Sequence, residues 1–143
     1  MRKAKRLNEL IQSATVRWTL TVTWTALTAS LLLSPSGSGT PVSFISQLFG
    51  GTDTSDAIGH VVVITILALL WCWTIGLYAN TAQTTYLILI GGIVWGLGAE
   101  LSQYFVPERG TSLLDLGANI LGVLIGLVVY RLLIAFVRYG AAS

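Results

Sequence analysis

Four apolar runs, at residues 18–33, 57–78, 84–105 and 113–137, leave this chain few choices of fold. Their Asp, Glu, Lys, Arg and His residues are His60, Glu100, Asp115 and Arg131 alone. A helix crosses the ~30 Å hydrocarbon core with ~20 apolar residues. Only structures that pair every backbone N–H and C=O internally can cross it, because lipid offers those groups no partner. The expected fold is therefore an all-α membrane protein with four transmembrane helices in an antiparallel bundle. The chain is 10% charged, against roughly 25% in a soluble domain. One bundle accounts for its 143 residues, with residues 1–17 as a basic cytoplasmic segment and 18–137 as the transmembrane domain. The first run is slightly short, and Val16 and a snorkelling Arg17 extend it. Its rival reading is a cleaved signal peptide. The length of the run and the lack of an A-x-A site before residues 34–40 favour a retained helix.

Charge placement sets the expected orientation. Arg2, Lys3, Lys5 and Arg6 precede the first run. With both termini inside, seven of the eight Lys and Arg lie on the cytoplasmic side and only Arg109 lies outside. Tyr78, Tyr86 and Tyr139 then fall near the inner interface. The outer loop before the second run has no Lys or Arg, and its apolar patch at residues 42–49 either lies in the interface or covers a site. The lone Cys72 excludes an internal disulfide and reads as a small packing residue.

Polar residues concentrate between Gly91 and Gly126, where the last two runs meet across a short turn. Gly92, Gly96, Glu100 and Gln103 share one helix face, as do Asp115, Asn119, Gly122 and Gly126. Folded as an antiparallel hairpin, these faces pair Gln103 with Asp115, Glu100 with Asn119, Gly96 with Gly122 and Gly92 with Gly126. The G-x-x-x-G faces then let the two backbones approach closely, and Ser112 starts the last helix in a capping-box-like sequence. Asp56 and His60, one turn apart, open the second run at the same membrane surface. Glu100 lies roughly 8 Å of rise inside its helix end, so its carboxyl is expected to be protonated or partnered by His60 or Arg109.

These residues suit a pocket. Glu100 and His60 form a candidate acid/base pair. Arg109 is placed to hold an anionic headgroup, and Gln103, Asn119, Asp115 and Asp56 are candidate binding groups. Plainer readings stand beside these. Asp56 caps its helix, Gln103 and Asn119 are interhelical hydrogen-bonding groups, and Arg109 marks the headgroup level.

The pattern Asp56-x-x-x-His60, Glu100-x-x-Gln103, Arg109, Asp115-x-x-x-Asn119-x-x-Gly122-x-x-x-Gly126 resembles the VanZ-like family of small bacterial membrane proteins over about half the chain. The resemblance implies a cell-envelope protein, a link to tolerance of teicoplanin-type glycopeptides, and a lipid-linked envelope precursor or glycopeptide-related ligand as partner. It supplies no reaction. Family members often carry Lys after the residue corresponding to Asp56, whereas this chain has Ala57. The rival reading is a non-catalytic membrane partner subunit with a structural polar cluster. With one histidine the ligand set for a metal is poor, no cofactor motif is present, and no signature points to nucleic acid. A transport path is also weak, because Arg131 is the only ionisable residue in the inner half of the runs.

Overall fold

The computed structural model describes residues 13–33, 53–106 and 112–140. These residues form four helices and no strand: α1 (Ala14–Leu32), α2 (Asp53–Ile75), α3 (Thr81–Gln103) and α4 (Leu113–Gly140). Three of them, α2, α3 and α4, are long and apolar enough to cross a membrane.

Local capping explains where the helices start. Ser13 Oγ accepts from Val16 N at 3.3 Å and opens α1 before the apolar run begins. Asn80 Oδ1 accepts from Ala82 N and Gln83 N, while Gln83 Oε1 accepts from Asn80 N, a complete capping box. This moves the start of α3 ahead of the hydropathy boundary, to Thr81. The second helix also begins early, at Asp53, so Asp56 lies inside it and cannot be its N-cap.

Side-chain contacts set the helix directions. Along α1, Arg17, Thr21 and Trp24 meet Trp73, Leu70 and Val63 in turn, so α1 and α2 run in opposite directions. Arg131 bonds Thr85, Val123 lies against Gly92 and Asn119 against Gly96, so α3 and α4 are also antiparallel. His60, Ile64 and Ala68 meet Asn119, Gly122 and Gly126 in the same order, so α2 and α4 are parallel.

Around a core of Ile64, Leu67, Ala68, Ile88, Val123 and Leu127, α1 turns a largely polar face inward and an apolar face outward. On α1 the buried residues are Arg17, Thr21, Thr28 and Leu32, whereas Leu20, Val22 and Leu27 face outward. Thr21 Oγ1 lies 2.7 Å from Thr74 Oγ1, and Arg17 Nη1 donates to Trp73 O at 2.7 Å. Its guanidinium also sits 4.7 Å from the Trp73 ring centre. Arg17, read from the sequence as part of a polar leader, is thus buried against the end of α2, where the helix dipole favours a cation. Val94, Leu101, Leu132 and Phe136 are all more than 60% exposed. Surfaces of that kind belong in lipid.

The hairpin register differs from the expected one. Gly96 faces Asn119 and Gly92 faces Val123, while Gly122 and Gly126 lie against α2 rather than α3. A Cβ on Gly122 would come within 2.8 Å of Val61 O, and one on Gly126 within 2.7 Å of Ala68 Cβ. The two glycine faces therefore serve different neighbours, and the expected glycine-to-glycine pairs do not form. In a Cys72→Ala background, Gly96→Cys with Asn119→Cys is expected to crosslink within one chain. The ideal Cβ on Gly96 lies 3.4 Å from Asn119 Cβ, near the ~3.8 Å a disulfide needs. Gly96→Cys with Gly122→Cys is expected to stay reduced, and efficient crosslinking of that pair would restore the hairpin register.

Candidate functional site

One end of the bundle collects the starts of α2 and α4 and the ends of α1 and α3. Among its buried polar residues are His60, Glu100, Gln103 and Asn119, the last two with 0% and 1% exposure. The parallel α2 and α4 direct their N-terminal dipole ends here, which favours negative charge.

Each of these side chains is held by one hydrogen bond to a different element. Glu100 Oε2 accepts from Ser112 N at 3.0 Å. Ser112 Oγ in turn accepts from Asp115 N at 3.3 Å. The backbone N–H that a capping box would assign to Asp115 is thus taken by Glu100 of the neighbouring helix. His60 Nδ1 lies 3.1 Å from Asn119 Oδ1. An amide oxygen only accepts, so in this contact Nδ1 is the donor. Gln103 Nε2 donates to Leu32 O at 3.0 Å and ties α3 to α1.

The remaining valences are unusual. Glu100 Oε1, Gln103 Oε1 and Asn119 Nδ2 are buried and have no hydrogen-bond partner among the described residues. An unpaired buried polar atom costs roughly 1–3 kcal/mol, and native proteins keep few of them. Three buried, unpaired polar atoms at one end of a bundle are therefore the strongest chemical feature of the molecule.

Several expected pairings are replaced. Glu100 and His60 make no hydrogen bond to each other: His60 on α2 is taken by Asn119, and Glu100 on α3 caps α4. Gln103 turns to α1 instead of Asp115. Asp56 is exposed and Asp115 half-buried in the first turns of α2 and α4. Arg109 and the apolar patch at 42–49 lie outside the described residues. Sequence reasoning missed Ser112 N and Leu32 O as partners, since backbone groups leave no side-chain pattern. It also missed the Asn80-x-x-Gln83 box, which was legible.

These features define a small α-helical membrane protein with a buried polar cluster at one end of its bundle. The chain belongs to the VanZ/LLP1 family, whose family model matches residues 8–134. It is also similar to an uncharacterised protein of Schizosaccharomyces pombe, 35% identical over 74 residues, 52% of this chain. The matched region spans 45% of that relative's length. A fungal relative means that the family likeness alone does not point to a bacterial envelope. No solved structure matches the chain.

Proposed function

We propose that the polar end is a binding site on the outer side of a cell membrane for the head of an amphipathic, lipid-linked envelope component. The observation that carries this reading is the unpaired set Glu100 Oε1, Gln103 Oε1 and Asn119 Nδ2. A buried carboxyl oxygen, an amide oxygen and an amide N–H suit a headgroup rich in hydroxyl or amide groups, which both donate and accept. Arg109, which lies in sequence between α3 and α4, is proposed to hold an anionic part of the same head. If the ligand is transformed there, Glu100 Oε1 and His60 Nε2 are the groups able to move a proton. In a bacterial inner membrane, the phenotype in which to read the site is envelope integrity or tolerance of teicoplanin-type glycopeptides.

The orientation behind this reading has four spans and both termini inside. Single cysteines at Ser38 and Gly110, in a Cys72→Ala background, are expected to react with a membrane-impermeant thiol reagent on intact cells. A cysteine at Ala82 is expected to stay protected. Labelling at Ala82 with protection at Gly110 would invert the bundle and move the site to the cytoplasm.

The ligand is tested by identifying lipids that co-purify with the wild type and with Glu100→Gln. A specific lipid present in the first and lost from the second supports the site. An unchanged lipid profile favours a second reading, a non-catalytic membrane partner subunit. That alternative has its own support, because Glu100 Oε2 and Gln103 Nε2 already hold α4 and α1 in place.

A further inference from the structure

A separate feature lies at the opposite end of the bundle, where α2 ends at Ile75 and α3 begins at Thr81. Trp18 Nε1 donates to Tyr78 Oη at 3.2 Å on the exposed surface here, an aromatic pair of the kind that marks the headgroup level. A cavity of about 790 Å³ opens between α2 and α4 beside the start of α1. Its apolar walls are Ile66, Leu69 and Leu70 of α2 and Leu133, Ile134 and Val137 of α4. Along α2 it follows Ile66 to Gly76, roughly 15 Å of rise, about the hydrocarbon depth of one leaflet.

Two guanidiniums line the same cavity, those of Arg17 and Arg138. Arg17 is fixed in place, with Nη1 on Trp73 O at 2.7 Å and its charge over the Trp73 ring. Arg138 is exposed, and its one hydrogen bond among the described residues is a 3.5 Å contact with Thr81 Oγ1. Most of its five N–H donors therefore stay open. The described carboxylates, on Asp53, Asp56, Glu100 and Asp115, all belong to the other end of the bundle. The C-terminal ends of α2 and α4 point here with about half a negative charge each. Two full positive charges outweigh them, so the mouth of this apolar groove is electropositive.

We propose that the groove seats an anionic phospholipid of the adjoining leaflet, its phosphate on Arg138 with the Arg17 charge behind it and one acyl chain along Leu69, Leu70 and Ile134. A guanidinium fork matches phosphate oxygens. The headgroup stays at the membrane surface, because Arg138 lies in the last turn of α4, and only the chain enters hydrocarbon. A zwitterionic lipid presents the same phosphate, but its own cation then faces two arginines. A second copy of this chain docked through the same face would set arginine against arginine. In the orientation proposed above, the groove faces the cytoplasmic leaflet, the one that carries anionic lipid. The site is distinct from the polar end and does not depend on it.

The test uses the full chain, purified in detergent, stripped of lipid and offered dioleoyl phosphatidylglycerol or dioleoyl phosphatidylcholine, which carry the same two chains. Retention is read by native mass spectrometry. The wild type is expected to hold the phosphatidylglycerol about twentyfold more tightly. Arg138→Gln is expected to lower that preference about fivefold while melting near the wild-type temperature, since the exposed side chain ties little together. Arg131→Gln removes the same charge from the same helix, but Arg131 bonds Thr85 and does not line the cavity. It is expected to keep the preference. Arg17 is left intact in these variants because it also fastens α1 to α2. Equal retention of the two lipids by the wild type would overturn the site. A preference that survives Arg138→Gln, or falls as far in Arg131→Gln, would overturn the groove as its seat and leave only the general pull of a basic surface. Displacement of the lipid by inorganic phosphate at matched concentration would overturn a lipid as the occupant. Glu100→Gln is expected to leave this retention unchanged, so failure at one site does not count against the other.

Discussion

Gly126→Leu is expected to disrupt the bundle, lowering stability by about 3 kcal/mol or more. For a chain of this size that corresponds to a fall in melting temperature on the order of 10 °C, measured by thermal unfolding in detergent. Even a methyl group is too large there, since the Cβ would come within 2.7 Å of Ala68 Cβ and 3.0 Å of Thr65 O. Thr65 O is backbone and cannot swing aside as a flexible side chain can. Gly122→Leu is expected to behave similarly, because its Cβ would face Val61 O at 2.8 Å and Ile64 Cβ at 3.0 Å. Between these positions, Thr65 Oγ1 donates to Gly122 O at 3.2 Å, a contact that also needs the close approach. Gly117→Ala, on the same helix, meets nothing within 4 Å. It is expected to be neutral or stabilising by up to about 1 kcal/mol, the helix-propensity difference. A Gly126→Leu protein that melts with the wild type would mean that α2 and α4 do not pack through these glycines.

That contact shows where the sequence was readable. The small-residue faces of α3 and α4 stand out in the sequence because glycine inside a helix is costly unless a backbone must come close. Their partners do not stand out. A G-x-x-x-G face looks the same whichever helix it meets, and nearness in sequence pointed α4 toward α3 when Gly122 and Gly126 serve α2. The apolar runs located all four helices, since charge is expelled from lipid-facing segments. They placed the start of α4 at Leu113 but missed those of α1 and α3, because Ser13 and Asn80 cap by hydrogen bonds to which hydropathy is blind.

The polar end was legible in its membership and not in its pairing. Glu100, Gln103, Asn119 and His60 were identified as costly residues in apolar runs, and all four are buried at one end of the bundle. Their bonds go to Ser112 N, Leu32 O and one another across α2 and α4, with Gln103 and Leu32 separated by 71 positions. No local spacing encodes such a contact. Arg17 is the converse case. A basic residue beside a basic leader reads as solvated, but it is held by a helix-end carbonyl and a tryptophan face.

Glu100→Gln is the change expected to separate binding from scaffold at that end. Glutamine keeps one carbonyl oxygen, enough to accept from Ser112 N as Glu100 Oε2 does at 3.0 Å. The cap on α4 should survive, with stability within about 1 kcal/mol of wild type. The other oxygen becomes an amide NH₂, so the buried acceptor at Oε1 turns into a donor. A ligand whose donor met Oε1 then meets another donor, and its retention is expected to fall at least about tenfold. Glu100→Ala removes the cap as well as the acceptor, and is expected to lose about 1–2 kcal/mol of stability together with the ligand. His60→Ala strips the bond from Asn119 Oδ1 and is expected to lower both moderately. If the cluster is only scaffold, loss of phenotype should follow loss of stability, with alanine at Glu100 severe and glutamine nearly silent. If it binds a ligand, glutamine at Glu100 should fold, reach the membrane and lose the phenotype. Glu100→Gln with wild-type phenotype and lipid content would remove the binding site and leave the partner-subunit reading in its place.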